Sequence, residues 1–227
     1  MRVMVASITR NGAGYLGRYF AQVRGLRAAL AERGVRLGVA LGEGDSVDQS
    51  RALCDGFVRD MGEQSLLVDV SHGGEVFGSV DNPTRWAQIA GCWNRVFETL
   101  GDVWFDALIY VEADLIWEPE TMVALLDHLE DVPAVAPMSF HRNGFFYDVW
   151  GHRGMDGGHF GPFPPHHGSL AGADGLVQIS SAGSCKVMRG EVARACRFAS
   201  EDAMLGHSIY ERGFSLWVDP RLRVVHP

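Results

Sequence analysis

What this chain lacks narrows it first. Lysine and arginine together number 20 against 28 acidic residues, for a net charge of -8 and a pI near 5.5. That balance argues against a general binder of phosphate backbones, which carries a basic surface, although a local basic cleft is compatible with it. There are only four cysteines, Cys54, Cys92, Cys185 and Cys196, in no CxxC or zinc spacing. They read as reduced thiols in or near the core. No apolar run reaches 18 residues, the length that would mark a transmembrane helix. The opening MRVMVASITR enters a strand rather than a secretory leader, so the expected setting is cytoplasmic. Internal repeats and coiled-coil heptads are missing as well.

What is present is a chain of 227 residues, 47% hydrophobic and 21% charged. That suits one domain with a good core and, at most, an elaborated lobe. Residues 2–9 form an apolar strand that ends in the turn-prone Arg10-Asn11-Gly12-Ala13-Gly14. Leu16, Phe20, Val23, Leu26 and Leu30 then recur at steps of three and four, which predicts a helix over 15–33. Gly34 stops it, as a glycine just past a helix end does. A strand over 35–41, a helix over 47–61 and a strand over 65–70 complete two βα units. Thr84 is the expected N-cap of a helix over 85–100. A strand over 107–111 follows, then a helix from Glu118-Pro119-Glu120 to about residue 130 and a strand over 132–138. This alternation predicts an α/β fold with a mostly parallel central sheet flanked by helices.

The stretch Val111 to Trp117, VEADLIW, carries the chemistry. If the strand continues through it, Glu112 and Asp114 at i and i+2 point to one face, at the strand end where open α/β sheets receive ligands. Two acids enclosed by apolar sequence are costly unless a cation or hydrogen bonds compensate them. A divalent cation bridging to a phosphate is one natural partner, since Mg²⁺ and Mn²⁺ favour a carboxylate or two plus phosphate oxygens. A solvated strand end whose acids cap the next helix is the other reading.

Between residues 139 and 175 the character changes to glycine, proline, aromatics and five histidines, His141, His152, His159, His166 and His167. A loop that long inside a domain is usually functional or mobile. The histidine spacing fits no zinc motif well, and an aromatic, polar, substrate-facing lobe is expected. Strands are predicted over 176–181 and 183–188, a short helix over 189–197, and a helix over 203–212 opened by Ser200-Glu201-Asp202. A strand over 214–218 and the near-terminal RVVHP complete the chain.

The acid-x-acid at a strand end, the late Glu201-Asp202, the strand LWVDP and the final VVHP together resemble the GT-A glycosyltransferases. The likeness is to family 2-type enzymes and the related Anp1-like group. It covers nearly the whole chain as a pattern, and it departs from the usual Asp-x-Asp in having Glu112-Ala113-Asp114. The resemblance implies a single GT-A, Rossmann-like domain over 1–227. Residues 1–138 would bind a nucleotide sugar, and residues 139–227, with an irregular lobe, would bind the acceptor and complete catalysis.

Further roles follow from the same likeness. Asp114, with Glu112 helping and Ala113 between them at the donor, would hold Mn²⁺ or Mg²⁺ on the diphosphate of a nucleotide sugar, UDP-sugar favoured. His226 would be the remote third ligand. Asp202, more than Glu201, would deprotonate an acceptor hydroxyl in an inverting transfer; plain complements to a helix dipole are the alternative for this pair. Ala6, Ser7, Thr9, Arg10 and Asn11 lie where the fold receives base and ribose. Asp45 or Asp69 would bind uracil or ribose, or serve as turn residues. Arg85 and Asn94 resemble the family's Arg and Asn near the donor, Arg85 with a fork suited to diphosphate. Trp86 and Trp93, seven apart, share a helix face and read as core before they read as a sugar platform. Lys186 and Arg189 suit either a phosphate or acceptor contact or the surface. The acceptor itself, whether a saccharide, a small molecule or, less in keeping with the acidic balance, a modified DNA base or protein, has no motif. Two rivals stand beside this reading: a nucleotidyltransferase, of whose glycine-rich loop residues 10–14 are a faint echo, and a non-catalytic nucleotide-sugar-binding module.

Overall fold

The computed structural model describes the whole chain except Glu63, Gly78, Val80 and Asp202, and the backbone only of His207. The elements in order are β1 (Arg2–Thr9), α1 (Ala13–Glu32), β2 (Arg36–Glu43), α2 (Ser50–Met61), β3 (Leu66–Asp69), α3 (Pro83–Gly101) and β4 (Ala107–Val111). After them come α4 (Pro119–Asp127), β5 (Ala134–His141), β6 (Arg153–Gly154), β7 (Val177–Ser181), β8 (Cys185–Arg189), α5 (Gly190–Ala195), α6 (Gly206–Glu211) and β9 (Leu216–His226). Among the described residues the strands form one sheet in the order β3-β2-β1-β4-β8-β5-β9-β7-β6. The half from β3 to β4 is entirely parallel, as is the β5–β9 pair. β8 enters antiparallel between β4 and β5, and β7 runs against both β9 and β6.

Side-chain alternation builds two cores, one on each face of the sheet. Met4 and Ala6 of β1 with Leu108 and Tyr110 of β4 join the cluster under α3 and α5. Val3 and Val5 with Ala107, Ile109 and Val111 join the cluster under α1, α2 and α4. Both faces of β1 and β4 are therefore apolar, as strands sandwiched between helices must be. Helix α1 buries Leu16, Tyr19, Phe20, Val23, Leu26 and Leu30. It ends at Gly34, whose φ of 69° is the left-handed conformation that lets the chain reverse into β2. On the opposite face Trp93 stacks on Phe198 at 5.5 Å and tilts against Tyr110 at 4.3 Å, tying α3 to the segment after α5.

Several boundaries differ from the sequence pattern, each for a local reason. Helix α3 is capped by Asn82, not Thr84: its side-chain oxygen accepts from the Thr84 and Arg85 amides at 2.9 and 3.2 Å. Pro83 then takes the first helical position, where its missing N–H costs nothing. Helix α2 starts at Ser50, three residues later than the pattern, and Val47 is left almost wholly exposed. Strand β9 runs straight through Asp219-Pro220; a register break opposite Pro137 and Met138 absorbs the proline. Helix α6 is only six residues long and begins at Gly206, so Glu201 lies in a turn ahead of it rather than at its first residue. No described helix is long and apolar enough to cross a membrane.

Candidate functional site

The parallel half of the sheet ends in a cleft of about 910 Å³, lined by Thr9 at the end of β1, Gly44 beyond β2 and Glu112 to Asp114 beyond β4. Helix α3 supplies one wall through Arg85, Trp86, Ile89 and Trp93, and Tyr147, Asp148 and Trp150 with Gly183 and Ser184 supply another. This is the carboxyl end of the strands, where open α/β sheets place their sites.

The acidic pair leaves the strand sooner than its spacing suggests. β4 stops at Val111, and Glu112 to Leu115 form a turn closed by the Leu115 amide on the Glu112 carbonyl at 3.2 Å. Both acids still face the cleft. Burial, with Asp114 and Asp148 adding like charge, pushes the Glu112 carboxyl up to about 8, against the opposing pull of Lys186 and Arg85. Asp114 sits with one oxygen 3.4 Å from Nε2 of His226. These two arrive from opposite halves of the chain because Ile116 pairs with Val225 through two backbone hydrogen bonds of 2.8 Å. The His226 ring stacks flat on Tyr147, with centroids 3.9 Å apart, and its Nδ1 is buried with no hydrogen-bond partner among the described residues.

No group of three or more His, Cys, Asp or Glu among the described residues is placed to hold a metal ion by protein ligands alone. Four of the lobe's five histidines are tethered by side-chain hydrogen bonds to separate partners. His152 bonds Asp148, His159 the Val149 carbonyl, His166 the Gly161 carbonyl and His167 Asp156. The Asp114–His226 pair does fit a cation of the Mg²⁺ or Mn²⁺ kind, whose remaining positions are commonly filled by phosphate oxygens and water. One carboxylate and one imidazole lie within reach of a shared ion, each partly open, and the second carboxylate is on the same turn.

Beneath the acids lies a buried polar cluster that the sequence did not announce. The Asp148 carboxylate accepts from the amides of Gly151, Gly183 and Ser184 at 3.1, 2.9 and 3.1 Å, and is 3.0 Å from Nδ1 of His152. Burial alone would raise its pKa, but the His152 contact and the amide donors outweigh it and hold the carboxyl below its ordinary value. A side chain at Gly151 or Gly183 would overlap this carboxylate. The chain's single lysine, Lys186, is fully buried beside the cluster. It donates to the Gly183 carbonyl at 2.8 Å and lies 4.0 Å from the centre of the Tyr110 ring. Burial pushes its ammonium down to about 8, with Asp148 pulling the other way.

Of the residues singled out from sequence, Thr9, Arg85, Glu112, Ala113 and Asp114 line the cleft together, and His226 touches Asp114 from behind. Ser7 does not reach it: it is buried, 2.7 Å from the Tyr19 hydroxyl and donating to the Val111 carbonyl at 2.6 Å. Asn11 and Asp45 brace loops instead of lining the cavity. Asn11 accepts from the Val47 amide at 2.9 Å, and Asp45 accepts from the His72 amide at 2.7 Å. Asp69 caps its own turn through the Ser71 amide at 2.9 Å. Asn94 clasps Phe198, accepting from its amide at 2.7 Å and donating to its carbonyl at 3.0 Å. Arg189 holds the carbonyls of Leu129 and Glu130. Each of these polar groups is already engaged away from the cleft. Glu201 is exposed in its turn, and Asp202 lies outside the described residues, whereas Ala203 and Met204 next to it line the cleft.

No protein-family model and no curated protein matches the chain. Solved structures do match in fold. S. aureus TarS 1–349 in complex with UDP-GlcNAc superposes with a TM-score of 0.62 at 11% identity, over 99% of this chain and 58% of that one. TarS 1–349 in complex with UDP gives 0.60 at 10% identity, over 99% and 60%. The inositol-1-phosphate CTP transferase from T. maritima gives 0.58 at 11% identity, over 100% and 88%. This chain thus spans somewhat more than half the length of the TarS chains. At such identities the likeness is one of fold alone: a mixed α/β architecture of the GT-A-like kind, with a large, mostly parallel central sheet.

Proposed function

We propose that this chain transfers a sugar from a nucleotide diphosphate sugar, UDP-sugar by preference, to a hydroxyl acceptor with inversion. The observation that carries the reading is the Asp114–His226 pair, brought to 3.4 Å at the mouth of a cleft that Thr9 and Arg85 also line. The fold match to a neighbour solved with UDP-GlcNAc supports it. Arg85 would clamp the diphosphate through its guanidinium fork, while the strand end at Thr9 receives the nucleoside. A divalent cation on Asp114 and His226, with Glu112 beside them, would supply charge neutralisation to the leaving diphosphate. Asp202, next to the cleft-lining Ala203 and Met204, would accept the proton of the acceptor hydroxyl as its oxygen attacks the anomeric carbon. The bond from that carbon to the diphosphate oxygen breaks in the same displacement.

A second reading, nucleotidyl transfer, is favoured by the T. maritima match, which extends over 88% of that enzyme. One experiment separates the two. The protein is incubated with Mn²⁺ and UDP-, GDP-, TDP- and CMP-sugars, and in parallel with CTP or UTP plus sugar phosphates. Release of the free nucleotide, a nucleoside diphosphate from the UDP-, GDP- and TDP-sugars or CMP from a CMP-sugar, even by slow hydrolysis, supports sugar transfer. Pyrophosphate release supports nucleotidyl transfer. Binding without either product leaves a non-catalytic module.

A further inference from the structure

We infer that the wall formed by Trp86 and Trp150 is the acceptor subsite and that it takes a pyranose ring, so that the acceptor is a saccharide; its role as an acceptor site rests on the transfer reading above. The two indole rings lie 6.3 Å apart at 29°, both in the cleft that holds Asp114. At that separation aromatic pairs pack on each other directly, so nothing fits between them, and the part of the pair left open to the cleft is an apolar surface. Trp150 keeps 53% of its surface open, so a ligand in the cleft can reach it. Its position is built rather than accidental. Asp148 pins the loop by four contacts, Tyr147 stacks on His226 on one side, and Arg153 and His159 back the Trp150 ring at 6.0 and 5.3 Å on the other. The platform is therefore fixed relative to the reacting end of the cleft, with no ordering cost left to meet on binding.

The chemistry around it selects the ligand. Glu75, Asp81 and Gln88 share the cleft with the indoles, and Gln88 is already oriented by a 3.1 Å bond to Glu75. Carboxylates and amides beside an aromatic face match a ring whose C–H faces are apolar and whose hydroxyls lie on the rim. The net charge of -8 opposes a nucleic-acid strand.

Saturation-transfer NMR tests this with methyl β-glucopyranoside, methyl N-acetyl-β-glucosaminide and cellobiose as probes, and with ribitol and a short thymidine oligonucleotide as comparators. The pyranosides should receive saturation at their ring C–H protons. Trp150→Ala should weaken their binding about tenfold, the scale of one lost aromatic platform, while Trp150→Phe retains most of it; thermal melting verifies that both variants fold. Equal binding by Trp150→Ala, saturation of ribitol or the oligonucleotide alone, or no saturation of any pyranoside overturns the inference. UDP with Mn²⁺, titrated separately into the parent protein, reports on the donor site alone. Its failure to bind with the pyranoside result intact would remove the transfer reading and leave a saccharide site.

Discussion

Asp148 gives the most demanding test of how the cleft is held together. Replacing it by asparagine keeps the shape but removes the charge and turns one oxygen into a donor. In the parent, one oxygen accepts from Gly151 and the other serves Gly183, Ser184 and His152. The amide can keep its oxygen toward that triple set, and its NH₂ then faces the Gly151 N–H, leaving a buried donor opposed by another. An unsatisfied buried group costs about 1–3 kcal/mol, and the loss of charge assistance in three remaining bonds adds on the order of 1 kcal/mol. Roughly 2–4 kcal/mol is a large fraction of the stability of a domain this size, and at about 2–4 °C per kcal/mol the melting temperature should fall by about 5–15 °C. Scanning calorimetry at pH 7 measures this directly. A melting point within about 2 °C of the parent would refute the claim that this carboxylate is charged and fully engaged.

Three further outcomes follow. Ser7→Ala should leave the Tyr19 hydroxyl and the Val111 carbonyl each short of a partner, lowering stability by about 1–2 kcal/mol in urea unfolding, while UDP titration gives the parent affinity; weakened UDP binding without destabilisation would return Ser7 to the ligand. Asp219 is buried, which would raise its pKa, yet Arg221 and His128 outweigh this and hold it at about 2 against an ordinary 3.8. Because the folded value is the lower one, its contribution of up to about 2 kcal/mol is complete above pH 4 and disappears as pH falls toward 2. Asp219→Asn should flatten acid unfolding in that window, and an unchanged profile would contradict the pairing. Asp202→Asn should keep donor affinity and lose transfer by roughly 10²–10⁴, so retention of full turnover would remove it as the base.

How much of this was legible in the sequence differs by region. Strands β1 and β4, helix α1 and the acids beyond β4 were readable because apolar periodicity and turn residues act within a few positions. The cleft also lay where parallel strands end. The engagement of Ser7, Asn94 and Asp45 was not readable, since each is satisfied by a distant partner: Asn94 reaches Phe198 across 104 residues. Asp148 is the same case, with its amide donors 35 and 36 residues away. Gly151, three residues on, and the distant Gly183 were the only signs, positions where a side chain would overlap the carboxylate. The lobe over 139–175 hid Tyr147 and Trp150 because aromatic content without periodicity says nothing about direction. Its histidines suggested ligands, but four of the five are hydrogen-bonding braces and His141 packs its ring against Tyr147 and His226. Trp86 and Trp93 share a face of α3 and both border the cleft, but Trp93 is buried in the core behind it whereas Trp86 is only half-buried in its wall.

The central claim is a metal-dependent nucleotide-sugar site on Asp114. It is tested most directly by the melting temperature of the parent and of Asp114→Ala against UDP-, GDP-, TDP- and CMP-nucleotides, with and without Mn²⁺. For the parent, one nucleotide at about 100 times its Kd should add about 2.7 kcal/mol, a rise of roughly 5–10 °C that needs Mn²⁺ and vanishes in the variant. A parent that shows no metal-dependent rise with any of the four would contradict the account and reduce the acidic pair to a solvated turn.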